Sequence, residues 1–218
     1  MKLEFDGIQF GYGSRSVLSD IYVKSETGQI TGLLGRNGSG KSTLLRVVFG
    51  STYCETRSVR IDEQYIDAPA FKSKKIAYLP QGPFIPVSLP LSKILGLYQL
   101  DEKKVFENFP DLVTDLSLRP NELSGGRRRL FEALLILNLP APFCLLDEPF
   151  TGLTPLFIER LIAEIQIKKK EKGILITDHL YRQVVGVSDN LYIIVNGKTH
   201  RIHRAEDLVQ YGYLSAAE

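Results

Sequence analysis

The chain opens on alternation: Leu3, Phe5, Ile8 and Phe10 are apolar between polar neighbours. A turn-like Gly11-Tyr12-Gly13-Ser14 follows, then Ile21-Tyr22-Val23. Period-two patterning across a turn predicts an antiparallel ribbon. Positions 30–34 form a short apolar run that feeds a glycine-rich stretch. After it, Ser42-Thr43-Leu44-Leu45-Arg46-Val47-Val48 has the pattern of a packed helix start. Further apolar runs at 59–66, 76–79, 143–146, 174–177 and 191–195 predict strands, with gaps long enough for crossover helices. This order predicts an α/β core.

Three segments depart from the strand pattern. Residues 88–139 lack alternation and carry helix-like patches at 91–100 and 128–137, which predicts a helical subdomain inserted in the α/β core. Over 155–172, Ile158, Leu161, Ile162 and Ile165 share one helical stripe. Lys168-Lys169-Lys170 marks that helix's C-terminus and Gly173 its stop. From 189 to 218, Asn196-Gly197 between apolar runs is a hairpin signal, because both residues tolerate positive φ, and a short helix is expected after it.

Composition narrows the class. With 218 residues, 44% hydrophobic and 24% charged, the chain suits a single domain over 1–218. A formal charge of +2 is too small for a nucleic-acid or membrane-surface footprint, so phosphate recognition has to be local and no nucleic acid is expected as a partner. Cys54 and Cys144 are far apart without CxxC spacing, which suggests neither disulfide nor zinc and fits a reducing cytosol. The first residues do not read as a signal peptide, and no apolar run approaches the roughly 18 residues of a membrane span.

Two stretches carry chemistry. Gly35-Arg36-Asn37-Gly38-Ser39-Gly40-Lys41-Ser42 matches the phosphate-loop pattern Gly-x-x-x-x-Gly-Lys-Ser/Thr between a predicted strand and a predicted helix. A chance match in a chain of this size is on the order of one in a hundred, before that context is counted. The glycines let backbone N–H groups turn around an anion, the helix N-terminus adds its dipole, Lys41 supplies a point charge and Ser42 a Mg²⁺ ligand. The apolar run 143–146 ends in Asp147-Glu148 and is expected to lie beside the phosphate-loop strand. Asp147 would hold Mg²⁺, and Glu148 would orient and deprotonate an attacking water.

Leu123-Ser124-Gly125-Gly126, between these stretches, resembles the signature motif of the ATP-binding-cassette (ABC) family, and the resemblance extends over nearly the whole chain. It implies a P-loop NTPase core with an N-terminal antiparallel β subdomain. It also implies nucleotide contacts at Tyr12 (with Phe10 as its rival), Gly35, Asn37, Gly38, Ser39, Gly40, Lys41, Ser42 and Thr43. Ser124, Gly125 and Gly126 would complete the site of a second subunit, because a hydroxyl and two N–H groups at a helix start bind an anion. Gln81 resembles the family's glutamine near metal and water, and His179 its switch histidine. Catalysis is thus expected from Glu148, His179, Lys41 and Gln81, and metal binding from Ser42, Gln81 and Asp147.

The implied function is ATP hydrolysis driving a transporter, with ATP and Mg²⁺ as cofactors. Head-to-tail pairing with a second ABC ATPase, as homodimer or heterodimer, is implied, as are membrane permease subunits on other chains. The place would be the cytoplasmic face of the cell membrane. The alternative is a soluble regulatory ABC ATPase, whose tandem cassettes, coiled-coil insertions and basic arms this chain lacks.

Two positions depart from the family pattern. Thr154 stands where an aspartate is usual, and Arg127 where a glutamine is usual. Arg127 either reaches a phosphate of the partner site, or faces solvent or makes a local ion pair. The Arg127–Arg129 run reads as a weak basic patch. Residues 83–87 either line a docking groove or pack on the helical segment.

Overall fold

A computed structural model describes residues 1–67 and 69–214, with every side chain but that of Ala205. Positions 215–218, the end of the C-terminal unit expected over 189–218, lie outside the described residues. Two sheets organise the molecule. The first is antiparallel: β1 (Lys2–Tyr12), β2 (Arg15–Leu18), β3 (Tyr22–Glu26), then β5 (Thr56–Ile61) and β6 (Gln64–Tyr65). β1 is its hub, pairing with β2, β3 and β5. The single strand expected over 59–66 is instead two strands joined at Asp62-Glu63, both at positive φ (49° and 67°), which folds the chain back in a tight hairpin.

The second sheet has the order β11-β10-β4-β9-β8-β7. Its parallel members are β4 (Ile30–Leu34), β7 (Ile76–Leu79), β8 (Phe143–Asp147), β9 (Gly173–Thr177) and β10 (Asn190–Val195). β11 (Lys198–Ile202) closes the edge as an antiparallel hairpin turned by Asn196 and Gly197 at φ 51° and 76°. The strand order corrects one expectation. β8 lies between β7 and β9, so β9 separates it from the phosphate-loop strand β4. Parallel strands joined by crossovers need not be neighbours, and run composition carries no information on the order.

Every residue of β4, β7, β8 and β9 is buried, as a parallel sheet covered on both faces requires. Alternate side chains serve the two faces. Phe143 and Leu145 join the N-terminal sheet and helix α1 (Lys41–Phe49) in one core; Cys144 and Leu146 face a second core on the opposite side. That second core is covered by α4 (Gly125–Asn138), α5 (Pro155–Lys168) and α6 (Tyr181–Val187). Both cysteines are buried and unpaired.

Residues 88–139 contain α2 (Leu91–Leu97), α3 (Glu102–Val105), two 3-10 turns and α4, and no strand among the described residues. Their apolar side chains, among them Ile94, Phe109 and Phe131, belong to the core that packs on the parallel sheet. α5 ends at Lys168 rather than running to 172: Lys172 turns inward and its ammonium donates to the Leu139 and Ala141 carbonyls, the latter at 2.7 Å. Helix α7 (Ala205–Gln210) follows the hairpin.

Candidate functional site

The C-terminal ends of the parallel strands place the chemistry. β4 runs into the loop Gly35–Gly40, in which Gly38 and Gly40 sit at φ 77° and 105°, a conformation side chains resist. α1 begins at Lys41, whose chain is 7% exposed and whose ammonium donates to the carbonyls of Gly35 (2.6 Å) and Arg36 (3.3 Å). Burial pulls the Lys41 pKa below its ordinary value, against the pull of Glu148 and Asp147.

Although β9 intervenes, the acidic strand end reaches the loop. Ser42 Oγ donates to Asp147 Oδ1 at 3.0 Å, and the Tyr78 hydroxyl donates to Asp147 Oδ2 at 3.1 Å. Burial raises the Asp147 pKa even though both hydroxyls favour its charge; burial and the Asp147 charge raise that of Tyr78. Glu148 then takes φ 53°, costing about 1 kcal/mol for a non-glycine residue. Its N–H is fixed on the Thr177 carbonyl at 2.7 Å.

Glu148 Oε2 is a meeting point: Gln81 Nε2 donates to it at 3.0 Å, Thr151 Oγ1 at 3.2 Å, and His179 Nδ1 lies 3.9 Å away. Asp178 holds the histidine's loop, accepting from the backbone N–H of Phe150 (2.9 Å) and Leu180 (3.0 Å), and burial raises its pKa.

A cleft of about 580 Å³ gathers Tyr12, Asn37, Gly38, Gly40, Lys41, Ser42, Thr43, Gln81, Glu148 and His179, together with Arg15, Val17 and Arg46. Tyr12 is 57% exposed there, whereas Phe10 packs against the N-terminal core and meets Tyr12 edge-on at 5.0 Å. Gly35 and Ser39 lie in the loop but do not line this cleft; Ser39 Oγ is buried without a hydrogen-bond partner among the described residues. Asp147 sits beneath it through Ser42.

Ser124, Gly125 and Gly126 do not line the cleft. Ser124 caps α4, accepting from the Arg127 N–H at 3.3 Å, and Gly126 is pressed on the Gly152 carbonyl. The donor set suits a nucleotide triphosphate with a hard cation. The loop residues Gly38, Gly40 and Lys41 line one cleft, the Ser42 hydroxyl there is paired with the Asp147 carboxylate beneath it, and Mg²⁺ takes oxygen ligands from few protein groups.

Arg127 resolves to a local ion pair, Nε to Asp115 Oδ2 at 2.6 Å, with Nη2 on the Asp111 carbonyl. Arg129 is buried, so the three arginines form no basic patch. Within 83–87, Ile85 is buried in the core and Val87 is exposed. Sequence reasoning missed Tyr78, Arg129, Asp178, Arg15 and Arg46. Only Arg129 had a usable signal, since it lies four residues before Ala133 and seven before Ile136 on the buried helical face.

The model of the family described as ABC transporter matches residues 18–151. BraG of Pseudomonas aeruginosa, a high-affinity branched-chain amino acid transport ATP-binding protein, is 30% identical over 209 residues, covering 90% of each chain. LptB of Acidithiobacillus ferridurans, a lipopolysaccharide export system ATP-binding protein, is 30% identical over 214 residues, 91% of this chain and 88% of its own. A solved structure of an ATP binding subunit of an ABC transporter superposes with a TM-score of 0.83 at 27% identity, covering 99% of this chain and 95% of its own. The phosphate loop, the acidic strand end and these likenesses fall on one fold, and the chain belongs to the ABC transporter family as an ATP-binding ABC ATPase.

Proposed function

We propose that this chain is the ATP-hydrolysing subunit of a membrane transporter, working as one of a head-to-tail pair at the cytoplasmic face of the cell membrane. No described helix is long and apolar enough to cross a membrane, so membrane permease subunits on other chains would carry the cargo path. The observation that carries the catalytic reading is the convergence of Gln81 and Thr151 on one oxygen of Glu148, at the edge of the cleft that Lys41, Ser42 and His179 also line, with His179 Nδ1 3.2 Å from Asp178 Oδ1 and 3.9 Å from that Glu148 oxygen.

Lys41 and the amides of the Gly35–Gly40 loop would bind the phosphates of ATP, and Tyr12 offers an exposed ring for the base. Ser42 and Asp147, already paired, would hold Mg²⁺, which neutralises phosphate charge when bound. Glu148 would take the proton of the attacking water, with Gln81 fixing the carboxylate and His179 reaching the terminal phosphate. Ser124, Gly125 and Gly126 would act on the nucleotide held by the other subunit. Hydrolysis would then remove the charge contacts that hold the pair closed.

The test is Glu148→Gln in the purified full chain. Removal of a general base should lower kcat by about 10²-fold or more while ATP affinity is kept. Equal turnover in the two proteins would end the catalytic reading. Affinity purification from detergent-solubilised membranes tests the assembly: a multi-spanning protein at near-equal amount supports the transporter role, and recovery only from the soluble fraction refutes it.

A further inference from the structure

Arg129 lies in the second turn of α4, four residues after the end of Leu123-Ser124-Gly125, and is 6% exposed. Its guanidinium spends its donors almost wholly on backbone carbonyls from two other elements. Nη1 donates to the Pro80 carbonyl at 2.7 Å, at the end of β7. Nη2 donates to the carbonyls of Asp147 (2.5 Å) and Glu148 (3.1 Å), and Nε to that of Glu148 (3.3 Å), at the end of β8. Among the described residues it forms an ion pair with Glu132, 2% exposed, at 3.4 Å. Burial works against the charge of both.

Pro80 immediately precedes Gln81. The two residues that share a side-chain hydrogen bond at the cleft therefore have their backbones tied by one guanidinium. Glu148 also needs such a tie, because its φ of 53° is unfavourable for a side-chain-bearing residue. A planar fork spreads its donors over three nitrogens and so reaches carbonyls from two strands at separate points, whereas an ammonium's three donors radiate from one centre.

We infer that Arg129 is a positioning residue for the Glu148 carboxylate: it locks the ends of β7 and β8 to α4, so that the Gln81–Glu148 pair moves with the helix that Ser124 caps. This rests on Glu148 being the general base. Contacts made by Ser124, Gly125 and Gly126 across a subunit interface would then reach the base of this chain's own site through one side chain.

The test uses the purified full chain carrying Arg129→Lys, Arg129→Gln and Glu148→Gln, singly and combined, with fluorescent-nucleotide affinity and single-turnover hydrolysis as readouts. The expected result is a roughly 10- to 100-fold loss of rate in Arg129→Gln and a smaller loss in Arg129→Lys, with nucleotide affinity within about threefold of wild type. Combined with Glu148→Gln, either change should add little, since a group that acts through Glu148 has nothing left to position. Three results overturn the inference: rates within twofold of wild type in both folded variants, affinity falling in step with rate, or losses that multiply with that of Glu148→Gln. If Glu148→Gln itself hydrolyses at the wild-type rate, the base assignment falls and the inference falls with it. If Glu148→Gln is slow and the Arg129 variants are not, the inference alone is wrong.

Discussion

The Gln81 side-chain amide donates a 3.0 Å hydrogen bond to Glu148 Oε2, joining two residues 67 positions apart at the tips of adjacent parallel strands. The bond fixes the carboxylate's direction without supplying the reactive group. Gln81→Ala should therefore reduce kcat by about tenfold, the low end expected for a hydrogen bond to a charged acceptor, and change the KM for ATP by less than about threefold. Steady-state kinetics that resolve the two constants check this; a change confined to KM would place Gln81 in nucleotide binding instead.

Asp147 is a charge held where burial opposes it, and its pKa is raised accordingly. The folded state thus takes up the proton more readily than the unfolded chain, so this group's contribution to stability is full at low pH and is lost as pH rises through the folded value. Asp147→Asn should melt higher than wild type at pH 8, with a difference that shrinks as pH falls and disappears below about 4, the ordinary carboxylate pKa. The same variant should lose Mg²⁺-dependent ATP affinity. Thermal melts at several pH values decide it: a wild type that melts higher than the variant at pH 8 contradicts the sign.

Gly125 and Gly126 are adjacent, yet their surroundings differ. A Cβ on Gly126 would lie 2.6 Å from the Gly152 carbonyl oxygen, a backbone atom, whereas a Cβ on Gly125 meets nothing within 4 Å. Gly126→Ala should cost about 1–3 kcal/mol of stability and Gly125→Ala less than about 0.5 kcal/mol. Denaturant midpoints of the two variants make the comparison, and equal values would mean that the α4 start yields freely.

Thr154 caps α5, its Oγ1 accepting from the Phe157 N–H at 3.4 Å with Pro155 in the first turn. Aspartate caps as well as threonine does, so Thr154→Asp should leave stability unchanged while Thr154→Ala loses about 0.5–1 kcal/mol. A stability loss in Thr154→Asp matching that of Thr154→Ala would show that the capping account is incomplete.

Local chemistry was legible in the sequence wherever it depends on residues close together in the chain. The spacing of Gly35, Gly38, Gly40 and Lys41 specifies a phosphate loop because the loop is built from its own backbone. Asn196-Gly197 specifies its turn because positive φ is a property of those two residues. The apolar runs specify buried strands, and Ser124 specifies a helix start, for equally local reasons.

Tertiary structure alone decided what those pieces meet. The insertion of β9 between β4 and β8 follows from how the crossover helices pack, and no strand's composition differs with its neighbour. The spacing of Arg129 to Ala133 and Ile136 signals its burial but not its role, because its partners are the carbonyls of Pro80, Asp147 and Glu148, and a backbone carbonyl has no residue identity by which to be recognised. Tyr78 and Asp178 were hidden for a different reason: Tyr78 sits between apolar residues of β7 and Asp178 in the loop just after β9, and only the fold brings the Tyr78 hydroxyl to Asp147 and the Asp178 carboxylate to the Phe150 amide. A hydrogen bond's range is about 3 Å, so contacts between residues far apart in the chain exist only once packing has set the distance.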